Sequence, residues 1–548
     1  MKANDTVMMK FLEGGKQFVV PLFQRTYSWG KIQIDELWAD IQETRDDEGV
    51  HFFGSFVMEP LPSSASGVSK YVIIDGQQRL ATTFLFLAML RNRIKEIDPN
   101  SKKKDEIHNL YLTNEYHQED KYKIVPTQVD RQIFFNIIDD KADTSEPSLI
   151  YYTRNYFKKE FEKINNIDEL EKLKNIILNK FSAVDIRLEK GDNPYLIFES
   201  LNHKGAKLTQ VDLLRNYLFM RISIDKQDEV YKDLWLPIQR SLEGYLDAFV
   251  RHYMGLEGDI PNFESIYSTF KEKADQTAKN ETEVIQLIKD LVKYATYYEK
   301  LIAPEKETIQ NISLILKKLN RLDVTTSYPL LLNFYNEYAE GRLTSDDFTK
   351  IIKIIETFII RRAVCNVPTN TLNKYFPTIY GQLDKRNFVE SLKQELMKDT
   401  GQRRMPSTTD FKTALINNNL YGDIRRTLKY ILEEIENFGH KEVLDFANLQ
   451  VEHIMPQKLS AEWKKELGKD SELIHQKYLN TLGNLTLTGY NPEYSNRNFL
   501  EKKNMKKGFK ESKLYINSDL ANLDKWGETE IIKRAEKLAN TAIKIWDI

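Results

Sequence analysis

Between about residues 225 and 400 the apolar side chains recur at three- and four-residue spacing, and strand-like runs lie only on either side of that stretch. "EVIQLIKDLVKYATYYEKLI" (283–302) and "DFTKIIKIIETFIIRRAV" (347–364) carry the pattern most clearly, as one-sided helices do. Their polar faces hold no evident chemistry, so the middle reads as a scaffold. Before it, short β-rich runs alternate with helices. "QFVVPLF" (17–23) and "YVIID" (71–75) read as strands, and "RLATTFLFLAMLRNRI" (79–94) reads as the helix after the second. "PLPSSASGVSK" (60–70) reads as a flexible hairpin connector. "FSAVDIRLE" (181–189) is a further strand, followed by helix-rich 194–220 with a turn at "NHKGAK". Thr209 is placed to cap the helix that follows, with Asp212 three residues on. "DTGQRRMPSTTD" (399–410) marks a boundary. After it come a helix at about 411–437, a strand at 449–455, a strand "LGNLTLTG" (482–489) and a terminal helical region. The expectation is an α+β multidomain chain with domains at 1–225, 226–400 and 401–548.

A chain of 548 residues exceeds what one core organises. Its 79 basic and 81 acidic residues nearly cancel, which argues against a histone-like polycation but leaves room for local basic patches. The longest apolar run, "FLFLAML" (84–90), is too short to span a bilayer. The N-terminus lacks the basic-then-apolar layout of a signal peptide, and the lone Cys365 excludes internal disulfides and Cys-rich zinc sites. A cytoplasmic protein without membrane association is expected.

Chemistry concentrates at the two ends. Near the C-terminus "VEHIMPQ" (451–457) is followed by a long loop and then by "LGNLTLTGYNPEYSNRNFLEKK" (482–503). Phosphodiester hydrolysis needs a base to deprotonate water and a cation against the developing phosphate charge. A neutral His453 suits the first task. Glu452 with Asn491 or Asn496 supplies oxygen ligands for Mg²⁺ or Mn²⁺, and Asn491–Pro492 is a favourable helix start. Neighbouring strand residues point to opposite faces, so Glu452 and His453 share a face only if the strand twists or ends between them. "EKKNMKKGFKESK" (501–513) holds six lysines against two glutamates. Such a run is usually a solvated face, and beside a nuclease site Lys502, Lys503, Lys506 and Lys507 would track DNA phosphates.

At the other end "VPLFQRTYSW" (20–29), "FFGSFV" (52–57) and "IIDGQQRLATT" (74–83) stand out. The last reads as strand, tight turn, helix, and a helix N-terminus attracts anions. Gly76 permits close approach, Gln77 and Gln78 donate hydrogen bonds, and Arg79 offers a planar fork for phosphate. Gln24 and Arg25 repeat that pair, and Gly54 and Ser55 are small enough to lie against phosphate. The bland alternative is that Asp75–Gly76 is a common turn and Arg79 only pairs with Asp75. Tyr27 and Trp29 read as packed aromatics rather than base-stacking ones.

"EHI.P" with "LGNL.L" resembles the His-Me finger, or HNH, endonucleases over residues 445–510. The resemblance implies His453 as general base, Asn484 as the residue orienting the histidine or its loop, and Asn491 or Asn496 at the metal. The N-terminal motifs, with "FESLNHKGAKLTQVDLLRNYLF" (198–219), resemble the GmrSD family of modification-dependent (type IV) restriction enzymes over residues 8–225. What this implies is a ParB/sulfiredoxin-like α+β domain with nucleotidase activity, a helical middle and a C-terminal ββα His-Me finger domain on one chain. By that resemblance the nucleotide site comprises Gln24, Arg25, Gly54, Ser55, Gly76, Gln77 and Gln78, with Asp75 and Arg79 as catalytic residues. Expected ligands are a nucleoside triphosphate (ATP, GTP, CTP or UTP) and modified phage DNA, in a protein able to form a homo-oligomer. A nucleotide-gated DNA sensor without cleavage and an RNA-directed toxin nuclease remain the rival readings.

Overall fold

The computed structural model describes residues 1–46, 49–61, 67–141, 148–189, 192, 197, 208–438, 440, 446–489 and 494–548. It is mixed α+β and divides into two compact units. One comprises Met1–Arg240 with Phe263–Val292, the other Ser241–Asn262 with Lys293–Ile548.

The first unit is built on a six-stranded mixed sheet. Its strands are β1 (Lys2–Val7), β2 (Lys16–Val19), β3 (His51–Pro60), β4 (Ser69–Asp75), β5 (Ile124–Val125) and β6 (Phe181–Arg187), in the order β1-β6-β3-β4-β2-β5. β3 and β4 pair antiparallel across the Ser/Pro connector, while β2–β4 and β3–β6 pair parallel. The helix Gln77–Ile97 follows β4 and is buried nearly all round, from Leu80 through Leu90, so it forms the centre of the unit rather than a surface layer. Phe56, Ile73, Leu80, Phe84, Phe157, Phe161 and Phe181 belong to the surrounding core. The expected cap at Thr209 is present. Its side chain accepts from Asp212 N at 3.1 Å, and Asp212 accepts from Thr209 N, which starts the helix Gln210–Phe219. The "NHKGAK" turn lies outside the described residues.

The second unit is mostly helical, and the helix Ser345–Val364 lies where the periodicity places it. The expected helix at 411–437 is three shorter ones, Thr408–Asn417, Leu420–Asp423 and Arg425–Asn437. The pair β7 (Gln450–His453) and β8 (Leu485–Thr488) runs antiparallel, with His453 opposite Leu485 and Glu452 opposite Thr486. Between these strands lie the helices Ala461–Leu467 and Ser471–Tyr478. Leu485 and Leu487 join a core with Leu428, Ile431, Leu538 and Trp546, while Ile454 and Met455 join another with Trp463, Phe499 and Trp526.

Gly483 sits where β8 meets the terminal helix Glu528–Ile545. A Cβ there would lie 2.2 Å from the Ile531 carbonyl oxygen, so only glycine allows this approach. Arg534, from the same helix, donates to the carbonyls of Gly483, Leu485 and Ile516. Complete burial brings its guanidinium down to about 9.

Candidate functional site

His453 ends β7 and is 6 % exposed. Its Nε2 lies 2.9 Å from Asn480 Oδ1. Because an amide oxygen only accepts, this contact puts the proton on Nε2 and leaves the Nδ1 lone pair as the basic one. Burial pulls the imidazole below its ordinary pKa, with Asn480 opposing part of that shift and the charges of Lys502, Arg425 and His475 adding to it. The ring is therefore neutral at pH 7. The Tyr421 ring meets it edge-on, centroids 4.5 Å apart.

Asn484 does not contact the imidazole. Fully buried, its Oδ1 accepts from Met455 N (2.8 Å) and Trp526 Nε1 (3.1 Å), and its Nδ2 donates to the carbonyls of Met455 and Leu479. Asn484 thus clamps the chain just past His453, and the direct partner of the imidazole is Asn480. Asn480 carried no sequence signal, lying in the loop of "YLNTLGNL".

Glu452, expected as an oxygen ligand, forms a buried ion pair. Lys502 Nζ is 2.6 Å from its Oε1 and 2.8 Å from the His453 carbonyl oxygen. Burial raises the Glu452 carboxyl and lowers the Lys502 ammonium, and their mutual attraction opposes both shifts. Asn491 lies outside the described residues. Asn496 is exposed in a turn, and the helix that follows, Phe499–Asn504, is capped instead by Asn498, which accepts from Glu501 N at 2.9 Å. Among the described residues no group of three or more His, Cys, Asp or Glu side chains could hold a metal ion. The described residues therefore do not form a ready-made divalent cation cage.

The expected DNA track also needs correction. Lys502 is 0 % and Lys503 8 % exposed. Lys503 Nζ is bound by the Leu523 carbonyl and Asp524. Only Lys506 and Lys507 of that group face solvent.

In the first unit the N-terminal motifs do meet. Gly76 has φ 95° and precedes the helix Gln77–Ile97; a Cβ there would lie 2.5 Å from the Phe56 ring. Gly54, at φ 106°, lies against Arg79, and a Cβ there would be 2.6 Å from Nη1. Gly54 thus makes room for the guanidinium rather than for a ligand. Arg79 donates to the Ser55 carbonyl at 2.6 Å and stands 3.4 Å from Asp75, each side chain about a quarter exposed. Gln24 Nε2 donates to the carbonyls of Ile73 and Ile74. Gln78 accepts from Ser28 N and donates to the Thr26 carbonyl, bracing the 24–28 segment. Tyr27 is packed, as expected, with its hydroxyl on Thr82 and Thr153. Four buried polar atoms here have no hydrogen-bond partner among the described residues: Gln24 Oε1, Arg25 Nε, Gln77 Oε1 and Arg79 Nε. Burial also lowers the Arg25 guanidinium pKa. The cavity bordered by Arg25, Gln77, Gln78 and Asp130 measures about 20 Å³, room for a water but not for a nucleotide.

No helix among the described residues is long and apolar enough to cross a membrane. No curated protein matches the chain. The family model of the GmrSD restriction endonuclease N-terminal domain matches residues 8–219, within the first unit, and the model of the C-terminal domain matches 405–541, within the second. With both domains matched and more than half of its length covered, the chain belongs to the GmrSD restriction endonuclease family.

Proposed function

We propose that the protein is a nucleotide-regulated, modification-dependent DNA endonuclease of cytoplasmic anti-phage defence, with His453 as the general base for phosphodiester hydrolysis in a His-Me finger site. The supporting observation is a buried imidazole, kept neutral by its surroundings and oriented by Asn480, at the end of β7 within the matched C-terminal domain. A neutral imidazole at pH 7 can take a proton from an attacking water. Asn484 contributes by fixing the backbone around Met455 rather than by touching the reacting atoms.

A requirement for Mg²⁺ or Mn²⁺ is part of the proposal, since such an ion supplies charge against phosphate oxygens. Mg²⁺ is commonly held by few protein oxygens together with substrate phosphate. No ligand set is assigned here, because Glu452 is engaged with Lys502. In the first unit we place the phosphates of a nucleoside triphosphate against Arg25 and Arg79, which requires the cavity of about 20 Å³ beside Arg25 to widen. The buried Nε–H donors of Arg25 and Arg79, unpartnered among the described residues, favour this reading, whereas the unpartnered Gln77 Oε1 is an acceptor and does not bear on phosphate. Hydrolysis there would rest on Asp75 and Arg79.

The test is a nicking assay on plasmid and phage DNAs of differing base modification, with Mg²⁺, Mn²⁺ or EDTA and with each nucleotide. The reading expects metal-dependent cutting of a modified DNA. Cutting of RNA alone, or binding of DNA without cutting under every condition, would sink it.

A further inference from the structure

The solvent-facing cations near His453 belong to the helix Arg425–Asn437, whereas Lys502 of the lysine run is buried against Glu452 and the His453 carbonyl. We propose that Arg425, Arg426 and Lys429 form a groove that holds the phosphodiester backbone of duplex DNA next to His453. This rests on the nuclease reading above and gives it a substrate-holding surface.

A groove of about 440 Å³ is lined by these three side chains and by Leu449, Gln450 and Val451, the chain entering and beginning β7. His453 ends the same strand. Arg425 is tied to the catalytic side by aromatic contacts: its guanidinium lies over the Tyr421 ring at 4.7 Å, and that ring meets the imidazole edge-on. Arg425 is exposed and has no carboxylate partner among the described residues. Among the described residues Arg426 pairs only with Asp323 at 3.2 Å, with both side chains largely in solvent, an arrangement that holds the pair weakly and lets a phosphate replace the carboxylate. Lys429 stands 3.7 Å from Glu433, which is already bound by Arg321.

The placement also runs against local preference. Arg425 and Arg426 occupy the first turn of their helix, where no acidic residue is found and Ile424 offers no side-chain cap. Cations are disfavoured at that end of the helix dipole, and an anion lodged in the groove would relieve the conflict. Lys429 also borders a cavity of about 720 Å³ whose lining includes Lys317, Lys318 and Arg321 together with Glu433 and Glu434, which pair with Arg321 and Lys318. Lys317 thus adds the further cation there that has no carboxylate partner among the described residues. A duplex backbone, carrying a charge at every nucleotide, matches three cations spaced along one groove better than a single small anion does.

The test is fluorescence anisotropy of the full-length protein in EDTA, so that binding is read without cleavage. The probe is an unmodified duplex of about 30 base pairs, because backbone contacts carry no sequence information. Each phosphate contact adds about 0.9 to the log–log salt slope. The variant Arg425→Ala/Arg426→Ala/Lys429→Ala should therefore bind at least about tenfold more weakly at low salt, with a slope shallower by about 2 to 3. A charge-keeping variant, Arg425→Lys/Arg426→Lys/Lys429→Arg, should retain the slope. Should the triple alanine variant lose its fold, Arg426→Ala alone repeats the test with an expected slope change of about 1. A wild-type protein that binds and cuts DNA, beside a triple variant with unchanged affinity and slope, would overturn the groove alone. A wild-type protein that binds no duplex DNA would overturn the nuclease reading with it. Tighter binding of an RNA duplex through the same three residues would overturn the assignment to DNA.

Discussion

Asn480 decides which nitrogen of His453 is basic, and that makes the pH profile of cleavage a readout of one contact. As the proposed base, His453 works when neutral, and burial places its pKa below the ordinary histidine value. The acid limb of the rate profile is therefore expected below about pH 6.5. Asn480→Asp sets a carboxylate against Nε2, raises the imidazole pKa and moves the acid limb to higher pH. Asn480→Ala removes the contact that raises the pKa, so the limb shifts down while the rate falls about tenfold or more as the tautomer and orientation are lost. Pre-steady-state cleavage rates from pH 5 to 8 check both. A second prediction concerns Lys502. Removing the ammonium with Lys502→Met leaves Glu452 charged and unpaired in the interior, which should cost about 3 to 5 kcal/mol in denaturant unfolding. Pairing it with Glu452→Gln should restore part of that loss. His453 was legible in the sequence from its company in "EHIMPQ". Lys502 was not, because a lysine-rich run looks like a solvated face, whereas the aliphatic stem carries this ammonium inward to Glu452.

At the scale of elements, the short β7–β8 pair depends on its neighbours, since a two-stranded hairpin is marginal alone. Asn484, Gly483 and Arg534 join it to the helices around it. Gly483→Ala would drive a methyl against the Ile531 carbonyl. It should destabilise the protein by about 1 to 3 kcal/mol, seen as a lowered thermal midpoint. Loss of cleavage should track loss of folded protein. The strands at 71–75, 181–189 and 449–455 and the cap at Thr209 could be read in advance because period-two runs and capping chemistry are local signals. The helix start expected at Asn491 lies outside the described residues, while the metal contact expected of Glu452 and the DNA track on Lys502 and Lys503 fared worse. Both depended on which way side chains face once distant segments pack, and no local pattern reports that.

At the scale of the whole molecule, each compact unit carries its own cluster of polar chemistry and its own core. In the first unit Arg79 holds Ser55, lies near Asp75 and leaves Nε without a partner among the described residues. Arg79→Ala should lower nucleotide turnover by about 10²-fold or more, the scale of losing one charge-stabilising donor. Phosphate release by the purified variant checks this, and DNA cutting without nucleotide should stay near the wild-type rate. The two domain matches fall one in each unit, and the tightness of the cavity beside Arg25 could not be read from the sequence, because it depends on how Ile124, Phe134 and Ile150 fill the space. The central claim is that His453 is the base of a nuclease. The most direct measurement is single-turnover cleavage of a modified phage DNA by His453→Ala and by wild-type protein, at equal DNA occupancy. The account predicts that the variant binds DNA and turns over nucleotide normally but cuts about 10²- to 10⁴-fold more slowly. Cutting at the wild-type rate would contradict it.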